Sequence, residues 1–356
     1  MSSAQAGSGV VVGLDAGGTT TNATVLDGTG RFLVDRLQET PSRVVEGPAV
    51  AIGALADAFA GVLALTGVPR SAALAIGLDT PGPASADGVI SSKGSTNFNQ
   101  PEWRGFDVRG ALAAELGLPV VYINDANAAA LYAHHVHFGA GADRRSSVAA
   151  IVGTGLGGGV VESGRVVQGA AGMAGELGHV QIPMHGLLED GQPLPVCNCG
   201  FVGDAESVAS LTAIEKNLLP YWLGRYAGHP LASAPSAREA AMRVRSLAEA
   251  GDELALRLFE QQAAALGRLF TIAANFTDPH AYFLGGGVVE TEPHFREWFL
   301  AEVRRHTQLR REQQEVATLA LVPDLDMAGA RGAALAAWDA VSGTGPPAAQ
   351  TASASR

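Results

Sequence analysis

The chain has 356 residues, a mass of 36.4 kDa, 47% hydrophobic residues and a formal net charge of −11. That length and apolar content suit two domains with a sizeable core, and the acidic balance argues against a nucleic-acid surface while leaving local binding of small anions by backbone amides open. Two cysteines, Cys197 and Cys199, sit too close for a disulfide framework, and neither a basic signal segment nor an apolar run of membrane-spanning length stands out, so a soluble cytoplasmic protein is expected.

Residues 1–9 form a small polar leader, expected to be disordered. The β-branched run at residues 10–14 ends at Asp15, Gly17, Gly18, Thr19 and Thr20, and a second extended run occupies residues 22–26. Strand, glycine turn, strand is a hairpin. Its turn offers backbone N–H groups with no Cβ in the way, so a phosphate can approach closely. Residues 48–65 are Ala-rich with helical spacing, 72–78 read as a buried strand, and 79–83 as a loop. A short helix is predicted at 109–116 and a strand at 119–123. Asn124 and Asp125 end that strand before an Ala-rich helix at 126–134, where Asp or Asn makes a good cap.

The same hairpin pattern returns at SVAAIVGTGLGGG, residues 147–159, with Gly153, Thr154, Gly155 and Gly157 in the turn and an extended run at 160–167. Gly153, Gly155 and Gly158 also spell a dinucleotide-binding fingerprint, with Glu176 near the distance of a ribose-binding acid. That fingerprint needs a helix directly after the glycines to hold the pyrophosphate. The β-branched GGGVVESGRVVQ that follows is poor helix material, which disfavours a dehydrogenase. A Gly/Pro-rich loop region spans 168–203. Helices are predicted at 204–219 and over most of 237–276, a strand at 281–284 ending in Gly285 and Gly286, and a last Ala-rich helix at 328–341. The Ser/Ala/Pro/Gly-rich residues 342–356 are expected to be disordered. His134, His135 and His137 read as a solvated helix end. The plan is α/β in two lobes: residues 10–122 with helix 328–341 packing on them, and residues 123–327 carrying an insertion at 168–207. Two phosphate turns, one in each half, point to a nucleotide held between the lobes.

In order and spacing, LDAGGTTTN at 14–22, INDANAAAL at 123–131, IVGTGLGGGVV at 151–161, GAAGMAGELGHV at 169–180, CNCGFVGDAES at 197–207 and LGGGV at 284–288 resemble the ROK family (repressor, open reading frame, kinase), over about residues 10–341. The resemblance implies a two-lobed actin-like ATPase (ribonuclease H-like) fold with the active site in the interlobe cleft. It implies a carbohydrate kinase using ATP and Mg²⁺, with glucokinase-type members nearest. The family also holds kinases of other hexoses, of N-acetylated hexosamines and of cyclitols, and DNA-binding repressors. The nine residues before Val10 cannot hold a helix-turn-helix, so the repressor branch is disfavoured. Oligomers are common in the family, and a homodimer without nucleic-acid or membrane partners is expected.

The resemblance assigns roles residue by residue. Asp125 is the general base that accepts the proton of a primary sugar hydroxyl as the γ-phosphoryl is transferred. Asp15 orients Mg²⁺ through water. Gly17, Gly18, Thr19 and Thr20 cradle phosphates together with Gly153, Thr154, Gly155 and Gly157, and Gly285 and Gly286 lie near the adenosine. Asn97, Asn124, Glu176, His179 and Glu206 contact the sugar with Asp125, as carboxylates and imidazoles suit adjacent hydroxyls. His179, Cys197 and Cys199 match structural zinc ligands, and Asp204 stands where the family has a third cysteine. Two departures matter. Thr20 replaces a common Lys in the first turn, which leaves polyphosphate open as a donor beside ATP. The stretch from Asn97 to Trp103 is longer than usual, and Asn99 could serve in place of Asn97, which leaves a C7-cyclitol acceptor open. A sugar-binding regulator with weak catalysis is the remaining alternative.

Overall fold

The structure is a computed structural model that describes residues 9–82, 84–93 and 97–343. Most of the expected disordered leader and tail, and Pro83 of the predicted loop, lie outside the described residues. Strand β1 (Val10–Ala16) pairs antiparallel with β2 (Thr20–Asp27), and β2 with β3 (Glu39–Pro41). On its other side β1 pairs parallel with β4 (Ala73–Thr80), and β4 with β5 (Val120–Asn124). The sheet order is β3-β2-β1-β4-β5. Val11, Val12, Leu14, Ile76 and Leu78 are fully buried, as expected of strands covered on both faces.

The second sheet contains β6 (Ser146–Val152), β7 (Leu156–Glu162), β8 (Arg165–Val166), β9 (Ala281–Gly285) and β10 (Thr318–Leu321), in the order β10-β9-β6-β7-β8. Written from the other edge, that order repeats the first sheet. In each, a glycine-turn pair is flanked by a short strand on one side and by crossover strands on the other, so the α/β plan is duplicated. Strand β7, not a helix, follows the glycines of the second turn, which removes the structural context a dinucleotide fingerprint needs.

The helices are α1 (Pro48–Thr66), α2 (Val108–Leu116), α3 (Asp125–Phe138), α4 (Leu211–Ala213), α5 (Leu219–Leu223), α6 (Ala237–Glu249), α7 (Glu253–Thr277), α8 (Pro293–His306), α9 (Arg311–Gln314) and α10 (Leu325–Ser342). Two compact units result. The first is Met1–Ser147, Gly159–Gly175 and Val322–Arg356; the second is Val148–Gly158 and Glu176–Leu321. In the first unit α10 lies flush on the sheet and on α3. A Cβ on Gly13 would collide with the carbonyl oxygen of Ala330, one on Gly77 with that of Ala333, and one on Gly332 with that of Ala128. The small residues of AGARGAALAA permit this backbone-to-backbone approach.

Three expectations need correction. Residues 204–209 are not helical: Ala205 N–H donates to Val180 O and Glu206 N–H to Gly178 O, and the first helical turn starts after the Ser210 cap. Residues 214–218 then widen into a π-turn just before Pro220, which cannot donate into an α-helical ladder. Helix α1 does have the length and apolarity to cross a membrane; in this fold Ile52, Leu55, Phe59 and Leu63 are instead buried in the core of the first unit. His134 and His135 are buried rather than solvated. The His134 ring nitrogens meet Ser147 Oγ at 2.8 Å and Ala142 O at 2.9 Å, and His135 Nε2 meets Gly164 O at 3.0 Å.

Candidate active site

In the first unit, Gly17 N–H closes the 17–20 turn on Thr20 O at 2.9 Å. The N–H groups of Gly18 and Thr19 make no hydrogen bond among the described residues, so they suit an anion. Thr20 is differently engaged: its hydroxyl donates to Glu39 Oε1 at 3.2 Å. Asn97 has φ of 70° and stands against Gly18, where a Cβ would collide with its side-chain amide. Phe98 and Trp103 anchor this segment in the core, with ring centroids 4.7 Å apart, while Asn97 and Asn99 remain exposed.

Strand β5 ends at Asn124, and Asn124 rather than Asp125 caps α3: its Oδ1 accepts from Ala126 N–H at 3.0 Å and from Asn127 N–H at 3.4 Å. Asp125 opens the helix, half-buried, with Oδ1 2.7 Å from Ala126 N. A carboxylate in the first turn of a helix is favoured by the helix dipole. Asn124 keeps its Nδ2 donors for another partner, close to Gly82.

The second unit brings together the residues of 153–157, 176–179 and 197–206. Gly153 N–H donates to Gly155 O at 2.9 Å, while Gly153 O and Thr154 O accept from the N–H groups of Leu211 and Thr212 at the start of α4. The N–H groups of Thr154 and Gly155 make no hydrogen bond among the described residues. Glu206 Oε2 accepts from Leu156 N–H at 2.8 Å and lies 2.6 Å from where a Cβ on Gly155 would stand. Glu176 sits one 3₁₀ turn before His179, whose N–H donates to Glu176 O at 3.1 Å. Burial pushes the Glu176 carboxyl up; His179 pulls it down and Glu206 raises it further. Glu176, His179 and Glu206 thus form one acidic, imidazole-bearing group.

Beside it, His179 Nδ1 stands 3.2 Å from Asp204 Oδ2 and 3.5 Å from Cys199 Sγ, while Cys199 Sγ is 3.8 Å from Asp204 Oδ2 and Cys197 Sγ is 3.9 Å from His179 Nδ1. All four ligand atoms lie within 4.8 Å of one another. Tetrahedral zinc with bonds of about 2.0–2.3 Å sets ligands about 3.3–3.8 Å apart, so the donor set and its spacing fit the ion. His179 turns Nδ1 to this group, which leaves Nε2 for other work. Asp204 is buried and its Oδ1 accepts from Ser207 N–H at 2.9 Å, a bond that fixes the carboxylate.

Strand β9 delivers Gly285 and Gly286 beside β6. Gly286 has φ of 90°, and a Cβ there would collide with Val152 O, so this position requires glycine. A largely apolar cavity of about 330 Å³ opens there, lined among others by Gly153, Thr154, Ile214, Phe259, Gln262 and Gly287. An apolar cavity lined by Gly153 and Thr154 suits a nucleoside with its phosphates on the 153–157 turn.

A sequence model of the ROK family matches residues 11–340. The chain belongs to the ROK family. It is 35% identical over 280 residues to the glucokinase of Halalkalibacterium halodurans, covering 78% of this chain and 80% of that protein. The ROK hexokinase from Thermus thermophilus superposes with a TM-score of 0.72 at 35% identity, covering 94% of this chain and 99% of that one. The ROK family glucokinase from Streptomyces griseus, solved in complex with glucose and AMPPNP, gives a TM-score of 0.67 at 27% identity, covering 92% of this chain and 99% of that one. The fold is the actin-like ATPase fold, and this ROK protein is a carbohydrate kinase acting on a small-molecule sugar.

One residue of this ROK kinase escaped the motif reading. Asp79, the penultimate residue of β4, lies directly across from Asp15 on β1, which in turn faces Asn22 on β2. It is fully buried, and neither carboxylate oxygen has a hydrogen-bond partner of normal geometry. Burial, then the Asp15 and Asp125 charges, push the Asp79 carboxyl well above its ordinary value; burial also raises Asp15. The signal was present, since Asp79 closes a buried apolar strand just as Asp15 does. A carboxyl whose folded pKa is raised is stabilised by protonation, so it contributes stability at low pH that is lost as pH rises through its folded value. Asp79→Asn is therefore expected to melt higher than the wild type at pH 8, by roughly 1–3 kcal/mol, the cost of an unpaired buried polar group. The advantage should shrink toward pH 5. Thermal melts of both proteins without added Mg²⁺ check this, and a pH-independent difference would exclude it.

Proposed function

We propose that this kinase transfers the γ-phosphoryl group of ATP to a primary hydroxyl of a hexose, the 6-hydroxyl of a glucose-type sugar. The observation that carries the reading is the cavity of the second unit, lined by Gly153 and Thr154 of a turn whose Thr154 and Gly155 N–H groups make no hydrogen bond among the described residues. The Streptomyces griseus glucokinase complex with glucose and AMPPNP supports it. Asp125 accepts the hydroxyl proton as the new P–O bond forms. Glu176, His179 Nε2 and Glu206 bind sugar hydroxyls together with Asn97 and the Nδ2 of Asn124. The 17–20 and 153–157 turns hold phosphate oxygens through backbone N–H groups, a stabilisation that needs no side-chain charge.

Asp15 holds Mg²⁺. The unpartnered oxygens of Asp79 and Asn22 beside it make an all-oxygen environment of the kind this cation takes. When bound, Mg²⁺ neutralises phosphate charge. His179, Cys197, Cys199 and Asp204 hold a structural zinc ion. Burial keeps the Cys197 thiol well above its ordinary value, so in the metal-free chain it stays protonated and donates to Glu206 Oε1 at 3.2 Å.

The test is an assay of donor consumption on protein whose zinc content is measured in the same preparation. ATP and polyphosphate are compared as donors, and glucose, mannose, allose, N-acetylglucosamine and valienone-type cyclitols as acceptors. Glucose with ATP is expected to give the highest kcat/KM, at one zinc per chain. Turnover confined to cyclitols would replace the hexose reading, polyphosphate preference would replace the donor, and zinc-free active protein would remove the metal.

A further inference from the structure

The 17–20 turn carries no cation: Thr20 stands there, and its hydroxyl is held by the acidic Glu39. The 153–157 turn has a guanidinium beside it. Arg238 lies in the first turn of α6, whose cap is Ser236. Its Nη1 donates to Glu215 Oε2 at 3.2 Å, and its Nη2 stands 3.5 Å from Thr154 Oγ1. Glu215 fixes one edge of the fork, and the other edge faces the turn. Thr154 in turn is held through its carbonyl, which accepts from Thr212 N–H at 3.2 Å and Thr212 Oγ1 at 2.8 Å. Its N–H and that of Gly155 remain unpartnered, so the guanidinium and the two amides share one locus. Arg245, whose guanidinium lines the cavity, is engaged elsewhere, donating from Nη1 to Gly287 O at 2.8 Å.

We propose that Arg238 binds the phosphate chain of the nucleotide at the 153–157 turn; this rests on the nucleotide reading above. A planar guanidinium matches phosphate oxygens with paired donors. As an ordinary ion pair with Glu215, its side chain 39% exposed, Arg238 would contribute little to the fold. Its removal is therefore readable without loss of structure.

The experiment is calorimetric titration of wild type, Arg238→Gln and Arg238→Lys with ATP, ADP and adenosine, in the presence of Mg²⁺. Arg238→Gln is expected to weaken ATP and ADP binding about tenfold, at the lower end for a charge-assisted hydrogen bond, and to leave adenosine unchanged. Arg238→Lys should recover part of that loss, with melting temperatures close to wild type in both variants. Unchanged ATP binding in Arg238→Gln, or equal weakening of ATP and adenosine, overturns the assignment of Arg238 alone. Absence of ATP and adenosine binding by the wild type overturns the nucleotide reading along with it.

Discussion

Asp125→Asn is expected to lower kcat by a factor of about 10²–10⁴, the range that positioned acid–base groups contribute. Asn is nearly isosteric, and its Oδ1 can still accept from Ala126 N–H as Asp125 Oδ1 does at 2.7 Å. The cap of α3 is unaffected, because Asn124 Oδ1 supplies it. The substitution therefore removes a proton acceptor and little else, and KM for the sugar should stay within a few-fold. Steady-state kinetics with the best acceptor, together with a melting curve, reads this directly. A kcat within tenfold of wild type would place the base elsewhere, with Glu176 next in line because its carboxyl is already pushed up by burial.

Gly332→Ala is expected to destabilise the first unit by at least about 3 kcal/mol, above the usual range for overpacking because the obstacle is backbone. The added Cβ would fall on the carbonyl of Ala128, in the first turn of α3. Neither helix can retreat freely, since α10 is also held flush on β1 and β4 at Gly13 and Gly77. For a unit of this size, that loss corresponds to a fall in melting temperature of roughly 10 °C. Gly61→Ala on α1 is the control. A Cβ there meets nothing within 4 Å, so helix propensity alone acts and stability should rise by up to about 1 kcal/mol. If Gly332→Ala melted within about 2 °C of wild type, the backbone contact between α10 and α3 would not be as tight as described.

Residues that act through local chemistry were legible before the fold was. The two glycine turns announce themselves as β-branched runs stopped by Gly and Thr, because a hairpin turn and a phosphate contact both need backbone free of Cβ atoms. Asp125 could be found from its place at a strand-to-helix junction, although the structure hands the capping role to Asn124. The four candidate zinc ligands also lie within one stretch, residues 179–204, close enough to be recognised together.

Long-range effects were not legible. Residues 204–209 have helical composition, yet the N–H groups of Ala205 and Glu206 pair with Val180 and Gly178, and tertiary pairing outweighs propensities of a few tenths of a kcal/mol per residue. Helix α8 and the four-residue strand β10 lie in a stretch where no element was predicted; α8 is fixed by packing on α7, and β10 by pairing with β9. Asp79 looks like a loop residue until β4 aligns it with Asp15, and its raised pKa is a property of that neighbourhood and of burial. Arg238 belongs to a helix 84 residues away from Thr154, and only the tertiary packing of α6 brings its guanidinium beside the second turn. Motif and periodicity thus identified the family and the α/β plan, because these depend on residues adjacent in the chain. Which charges meet, which helices touch backbone to backbone and where helices begin depend on residues that come together only when the core closes.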